Sequence, residues 1–547
     1  MKLMRRGHLV LLLLAFAVLW FSTLDYRRLI NPDEGRYSEI PREMVASGDW
    51  LTPRLNDLKY FEKPALQYWA TAAAFSVFGE HHWTARLWPA LTGFLGVIFT
   101  GLATARLFNP MAGLIAGTVL ASGMLWNMVG HFNTLDMGVS FFLAAAVFAL
   151  CLAQRDSANP QESRRWQDGS WALLALAVLS KGLIGLVLPA ATVVAYSLWQ
   201  RDWRFILRLR PFRGLAILLI ITAPWFIAVS IANPEFARFF FIHEHFERFL
   251  TKVHNRYQPA WYFVPILLLG MLPWVGSLLH ALREGTRRQA GQLFQPQRFL
   301  LVWIVIVFGF FSASSSKLGS YILPLFPAMA TLFGVLLSQR AQSFRLQWHL
   351  APAIGIAVAG LALVPFVTRF ANEPGAVALY QIYQVWIGVG AATLLVAAIV
   401  AFILARRDRN IAALLILGLG GHVFGQAFLL GHDAISERKS ARDIAAQIRP
   451  QLPPGVPFFS VDMYDQTFQF YLKRTTTMVS FKDELSFGIE QEPEKFIADV
   501  SGFETAWRKA PIAWALMNPG RWQSLTEKGL PMTEVARDAY RVIVKKP

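Results

Sequence analysis

Apolar runs of bilayer-crossing length, separated by short charged stretches, fill the chain through about residue 430. Their spacing predicts helices at 8–23, 83–104, 110–129, 137–153, 170–182, 184–199, 214–232, 259–279, 298–312, 320–337, 349–368, 384–404 and 411–430. About thirteen spans are therefore expected, the first retained as a span because no small-residue cleavage signal follows it. Arg-rich loops at 154–169, 200–213, 280–297, 338–348 and 405–410 fall on one side under strict alternation, which makes that side cytoplasmic. Residues 24–82, 233–258 and the C-terminal segment are then outside. The boundary between 170–182 and 184–199, within "LSKGLIG", is the least sharply marked.

After about Glu437 the pattern changes. Short β-like runs ("VPFFSVDM", "TTTMVSF", "PIAWALM", "YRVIVKK") alternate with helical ones ("SARDIAAQIRPQ", "DQTFQFYLK"). The expected division is a membrane domain at 1–436, with outer loops 24–82 and 233–258, and a soluble α/β domain at 437–547. The latter has no glycine-rich phosphate loop, so it reads as a cap or partner-binding module.

Composition fits a polytopic membrane protein, with 55% hydrophobic and 16% charged residues. The net charge of +17 does not indicate a nucleic-acid partner, because the basic residues sit in clusters between spans. One cysteine, Cys151, excludes an internal disulfide framework.

Chemistry concentrates in the loop 24–82. The stretch "NPDEGRYSEIPREM" carries Tyr37, Ile40 and Met44 at helical spacing with charges around them, and predicts an amphipathic helix lying in the membrane interface. Asn31 as N-cap, Pro32 at the first helical position and Glu34 three residues after the cap would make a good helix start with no function attached. The company of these residues argues for more. Tyr60, Glu62 and Lys63 follow in "LKYFEKP", and Asp136 in "GHFNTLDMG" stands at the outer end of a span, where an ionisable group is costly.

The stretch "DEGRYSEIPREMVASGDWLTPRLNDLKYFEKPALQYW" resembles the signature of bacterial membrane glycosyltransferases that transfer 4-amino-4-deoxy-L-arabinose to lipid A; broader relatives are protein O-mannosyltransferases and oligosaccharyltransferase catalytic subunits. "FFFIHEHFERF" and "SSSKLGSYILPLFPA" extend the resemblance through the tenth span. It implies an α-helical polytopic GT-C-like fold in the inner membrane, a periplasmic active site, an undecaprenyl-phosphate-linked sugar donor and a lipid A acceptor. It also implies an acid in the first outer loop, here Asp33, as the key catalytic position, with Asp136 matching a second acid.

An outward site cannot draw on cytosolic nucleotide sugars, and the chain has neither a D-x-D motif nor a P-loop, so a lipid-borne donor is the natural alternative. Its phosphate calls for cations, and Arg36, Lys63, Arg248 and Lys317 are candidates, with Tyr60 and Tyr321 as hydrogen-bond donors. Span-end Arg and Lys also snorkel, and interfacial Tyr also forms belts, without any ligand. Asp33, Glu34 and Asp136 are the candidate acids. For a hydroxyl acceptor Asp33 would be a general base, whereas for a phosphate acceptor it could orient the donor amine. Glu62 with His243 or His245 has the chemistry of a divalent-metal (zinc) site, but no zinc-protease ligand spacing is present; the alternative is that Glu62 orients Lys63 and the "HEH" residues cap an interfacial helix, and no metal cofactor is expected to be required. A monomer is expected. The rival readings are a transferase using another sugar or a protein Ser/Thr acceptor, and a polytopic lipid transporter, whose mark would be broken helices with ionisable groups at mid-membrane.

Overall fold

The computed structural model describes residues 6–247, 258–341, 346–372 and 374–547. The chain forms two compact units: Met1–Leu24 with Trp88–His432, and Asp25–Leu87 with Asp433–Pro547. This differs from the expected division, because the first outer loop belongs with the C-terminal domain.

In the first unit the apolar runs are helices. Among the described residues eight helices are long and apolar enough to cross a membrane, or nine with one bent pair, and Val10–Phe21, Pro110–Ser122 and Ile184–Gln200 are shorter apolar helices. Every expected span lies on helix, with three local differences. The 110–129 run breaks at Gly123 into Pro110–Ser122 and Met124–Val129. The 259–279 run is Ala260–Gly270 and Trp274–Gly285, bent by 110°. The 170–182 run is the second half of one long helix, Pro160–Lys181. Small residues let helices approach closely: a Cβ on Gly113 would lie 2.5 Å from the Gly101 carbonyl oxygen. Buried indoles need acceptors, and Trp20, Trp126 and Trp303 donate to the carbonyls of Ala90, Gly93 and Pro324 at 2.8, 3.1 and 2.9 Å.

The second unit contains the helix Asp33–Ser47, a two-strand hairpin (β1, Arg54–Leu55; β2, Leu58–Lys59) and a six-stranded sheet. The sheet strands are β3 (Phe458–Val461), β4 (Thr477–Val479), β5 (Phe496–Ile497), β6 (Trp514–Met517), β7 (Thr533–Arg537) and β8 (Val542–Lys545), in the order β5-β4-β3-β6-β8-β7. The first four are parallel, and β8 runs antiparallel to β6 and β7. Both faces are covered, so the central strands β3 and β6 are buried along their whole length. Phe459 and Val461 face one core with Phe503 and Trp507, while Phe458 faces the other with Phe468, Trp514 and Ile543. All four β-like runs and both helical runs singled out in the sequence are present. β5 and β7 are additional.

The helix Asp33–Ser47 is not the expected interfacial amphipath. Glu34 through Met44 are all buried, including Glu39, Arg42 and Glu43. These polar groups are tolerated because each is engaged: Arg42 donates to both Glu39 oxygens at 2.7 and 2.6 Å, and Glu43 accepts the N–H groups of Asn56 and Asp57 at 2.6 and 2.8 Å.

Candidate active site

The helix start is built differently from a capping box. Pro32 precedes the first helical residue without a side-chain cap, and the Asn31 side chain accepts the Thr467 N–H at 3.0 Å instead. Glu34 is also not available as a catalytic acid. It is 1% exposed and receives Arg86 on both oxygens at 2.7 and 2.9 Å, with Arg27 3.6 Å away. Asp33, one residue earlier, stays 37% exposed and lies 3.5 Å from Arg36.

Around Asp33 this unit gathers Arg36, Tyr60, Glu62, Lys63 and one residue the sequence reading missed, Glu484. Arg36 is buried; its Nη1 donates to the Tyr60 hydroxyl at 2.9 Å, pairs with Glu484 at 2.9 Å and stands 4.0 Å from Glu62. It is therefore a paired cation and not an open phosphate ligand. Burial opposes its charge, but Tyr60, Glu484, Tyr37 and Glu62 outweigh that and hold its pKa well above the ordinary value. Burial pushes the Glu484 carboxyl up against the pull of Arg36. Lys63 is mostly buried, donates to the Glu62 carbonyl at 2.7 Å and lies 3.9 Å from the Glu62 carboxylate. The Tyr37 and Tyr68 rings are 6.2 Å apart, and among the described residues the Tyr68 hydroxyl, which is buried, has no hydrogen-bond partner.

In the other unit Asp136 opens the helix Leu135–Gln154 and is 8% exposed. It pairs with Lys181 and accepts the Ser320 hydroxyl at 2.6 Å. Lys181 lies 4.7 Å from the centroid of the Tyr321 ring, and these residues line a small cavity with Ser140. Lys181, at the end of the Pro160–Lys181 helix, was missed because a span-end lysine looks like a snorkelling one. Lys317 is buried and donates to the carbonyls of Ser314 and, at 2.9 Å, Gln258. His243 is exposed and stacks on Phe239, 5.2 Å between centroids. Arg248 and the His245 side chain lie outside the described residues. Among the described residues no three His, Cys, Asp or Glu side chains gather as a metal site.

A helical membrane unit plus acids and cations beside an open carboxylate is the arrangement of a membrane glycosyltransferase. Residues 62–227 match the family model described as dolichyl-phosphate-mannose-protein mannosyltransferase, and 444–546 match the aminoarabinose transferase C-terminal domain. The undecaprenyl phosphate-α-4-amino-4-deoxy-L-arabinose arabinosyl transferase of Pseudomonas aeruginosa strain LESB58 is 34% identical over 71% of this chain and 70% of its own. The crystal structure of ArnT from Cupriavidus metallidurans bound to undecaprenyl phosphate superposes with a TM-score of 0.94 at 37% identity, covering 99% of this chain and 98% of that one. The chain belongs to this arabinosyl transferase family. The archaeal oligosaccharyltransferase AglB from Archaeoglobus fulgidus shares the fold, with a TM-score of 0.54 at 13% identity over 94% of this chain and 69% of that one.

Proposed function

We propose that the chain transfers 4-amino-4-deoxy-L-arabinose from undecaprenyl phosphate to phosphate groups of lipid A, working as a monomer in the inner membrane with its reaction on the periplasmic side. The observation that carries the reading is selective exposure on one helix. Glu34, Glu39 and Glu43 are buried and engaged, while Asp33 alone is left 37% exposed beside a cluster of cations and tyrosines. The family relationship supports the donor, since the relatives are named for this sugar and this carrier.

In the reaction an acceptor phosphate oxygen forms a bond to the anomeric carbon. The bond from that carbon to the undecaprenyl phosphate oxygen breaks, and its electron pair leaves with the carrier. Positive charge builds on the sugar ring and negative charge on the departing phosphate. Lys63 is the cation suited to the phosphate, because its side chain keeps 16% exposure against 8% for Arg36 and is tethered by its neighbour Glu62. Asp33 supplies a carboxylate for the sugar's amine or its developing charge; an anionic acceptor needs no base. The reading needs no metal. Glu62 already has Arg36 and Lys63 near it, and a zinc ion on Glu62 with His243 or His245 would have to compete with those cations.

The test is reconstitution of purified protein with the lipid-linked donor and lipid A, read by mass spectrometry. An aminopentose added to a lipid A phosphate, at a rate unchanged by a strong chelator, is expected. Unmodified lipid A beside a glycosylated protein Ser or Thr would overturn the acceptor, and loss of rate on chelation would overturn the metal-free reading.

A further inference from the structure

We infer that Arg86 is a positioning residue for Asp33, acting through Glu34. The inference rests on the reading of Asp33 as the reacting carboxylate. Arg86 is 1% exposed, and four hydrogen bonds run from its guanidinium to this one segment. Nε and Nη2 donate to the two oxygens of Glu34 at 2.7 and 2.9 Å. Nη1 donates to the Arg27 carbonyl at 2.6 Å, and Nη2 to that of Arg28 at 2.9 Å. A planar fork thus ties the residue after Asp33 to the chain entering the helix.

The other side of Asp33 is held independently. The Asn31 N–H donates to the Lys439 carbonyl at 2.8 Å, and its side chain accepts the Thr467 N–H at 3.0 Å. Asp33 is therefore suspended between a clamp two residues before it and one immediately after it. Its own carboxylate is bonded to neither. Arg86 can influence the reaction only through where it sets Asp33 in space, and a displacement of about 1 Å can cost about 100-fold in rate. A lysine cannot reproduce this role, since an ammonium has no planar fork for two carboxylate oxygens and two carbonyls.

The experiment measures steady-state transfer by full-length protein, with rates normalised to the folded fraction from size-exclusion chromatography. Arg86→Lys and Glu34→Gln are compared with Asp33→Asn. Expected is a fall in kcat of about ten- to a hundredfold for Arg86→Lys and for Glu34→Gln, with KM for the donor within about threefold of the wild type. Should either single variant not fold, the double variant Glu34→Gln/Arg86→Gln, which removes both charges of the bidentate pair together, is measured in its place and should lose the same factor. A purely structural pair would lower the folded fraction and leave kcat per folded molecule unchanged. Full kcat in folded Arg86→Lys beside an inactive Asp33→Asn overturns the inference alone. An active Asp33→Asn overturns the Asp33 reading, and the inference with it.

Discussion

Adjacent acids can have opposite duties when one of them finds a buried partner. Asp33 and Glu34 look alike in the sequence, yet only Glu34 is buried against Arg86. If Asp33 merely began the helix, Asp33→Asn would cost up to about 1 kcal/mol of dipole stabilisation and spare transfer. The expected outcome is instead near-normal detergent-stable yield with transfer reduced by more than about 100-fold, measured on membranes. The division of labour was not legible locally, because Arg86 lies 52 positions away. It had a signal nonetheless: an arginine inside an expected apolar span is costly unless paired. A second residue-scale effect concerns Glu43. Burial, with Glu39 adding to it, pushes this carboxyl up to about 8 against the pull of Arg42. Because the folded value is raised above 4.5, the group's stabilising contribution is fully present below about pH 4.5 and is lost as pH rises through about 8. Glu43→Gln should flatten the fall in thermal stability across that window by up to about 1.4 kcal/mol per pH unit, as read by unfolding at several pH values. An unchanged slope would show that another group titrates.

At the scale of elements, hydropathy found the membrane helices because a bilayer imposes length and apolarity on each one separately. What it missed depended on partners or on punctuation. The break at Gly123 and the bend before Trp274 carry only Gly and Pro as signs, and the two-residue β5 is too short to show a period. The helix Leu66–Phe78 is apolar but shorter than a crossing, and its run was not counted. The largest error was the helix Asp33–Ser47, whose mixed surface resembled an interfacial amphipath. It is instead polar because it is surrounded by polar partners, and its backbone approaches another segment closely. A Cβ on Gly35 would lie 2.5 Å from the Gln466 carbonyl carbon and 2.7 Å from the Thr467 nitrogen. Those are backbone atoms and cannot swing aside, so Gly35→Ala should cost about 1–3 kcal/mol in thermal unfolding. Gly309→Ala, with nothing within 4 Å, serves as the control and should be neutral or slightly stabilising. Equal effects from the two would refute the close approach.

For the whole molecule, the compact unit formed by Asp25–Leu87 and Asp433–Pro547 restricts the topology. Both segments of one folded unit must be on the same side of the membrane, so the chain between them crosses an even number of times. The expected spans from 83–104 through 411–430 number twelve, and the first span makes the total odd. An odd total is the parity expected when the Arg-rich loops face the cytoplasm. The sole native thiol, Cys151, is buried, so introduced cysteines can be read in the natural background. Ala46→Cys and Lys509→Cys place thiols at exposed positions in the two segments, and Arg288→Cys places one in an Arg-rich loop. With only the outer membrane permeabilised, an impermeant maleimide should label the first two and not the third, which should react only after lysis. Labelling of Ala46→Cys without Lys509→Cys would break the even count between the segments. Labelling of Arg288→Cys alone would keep that count and invert the orientation, moving the reaction to the cytoplasmic face.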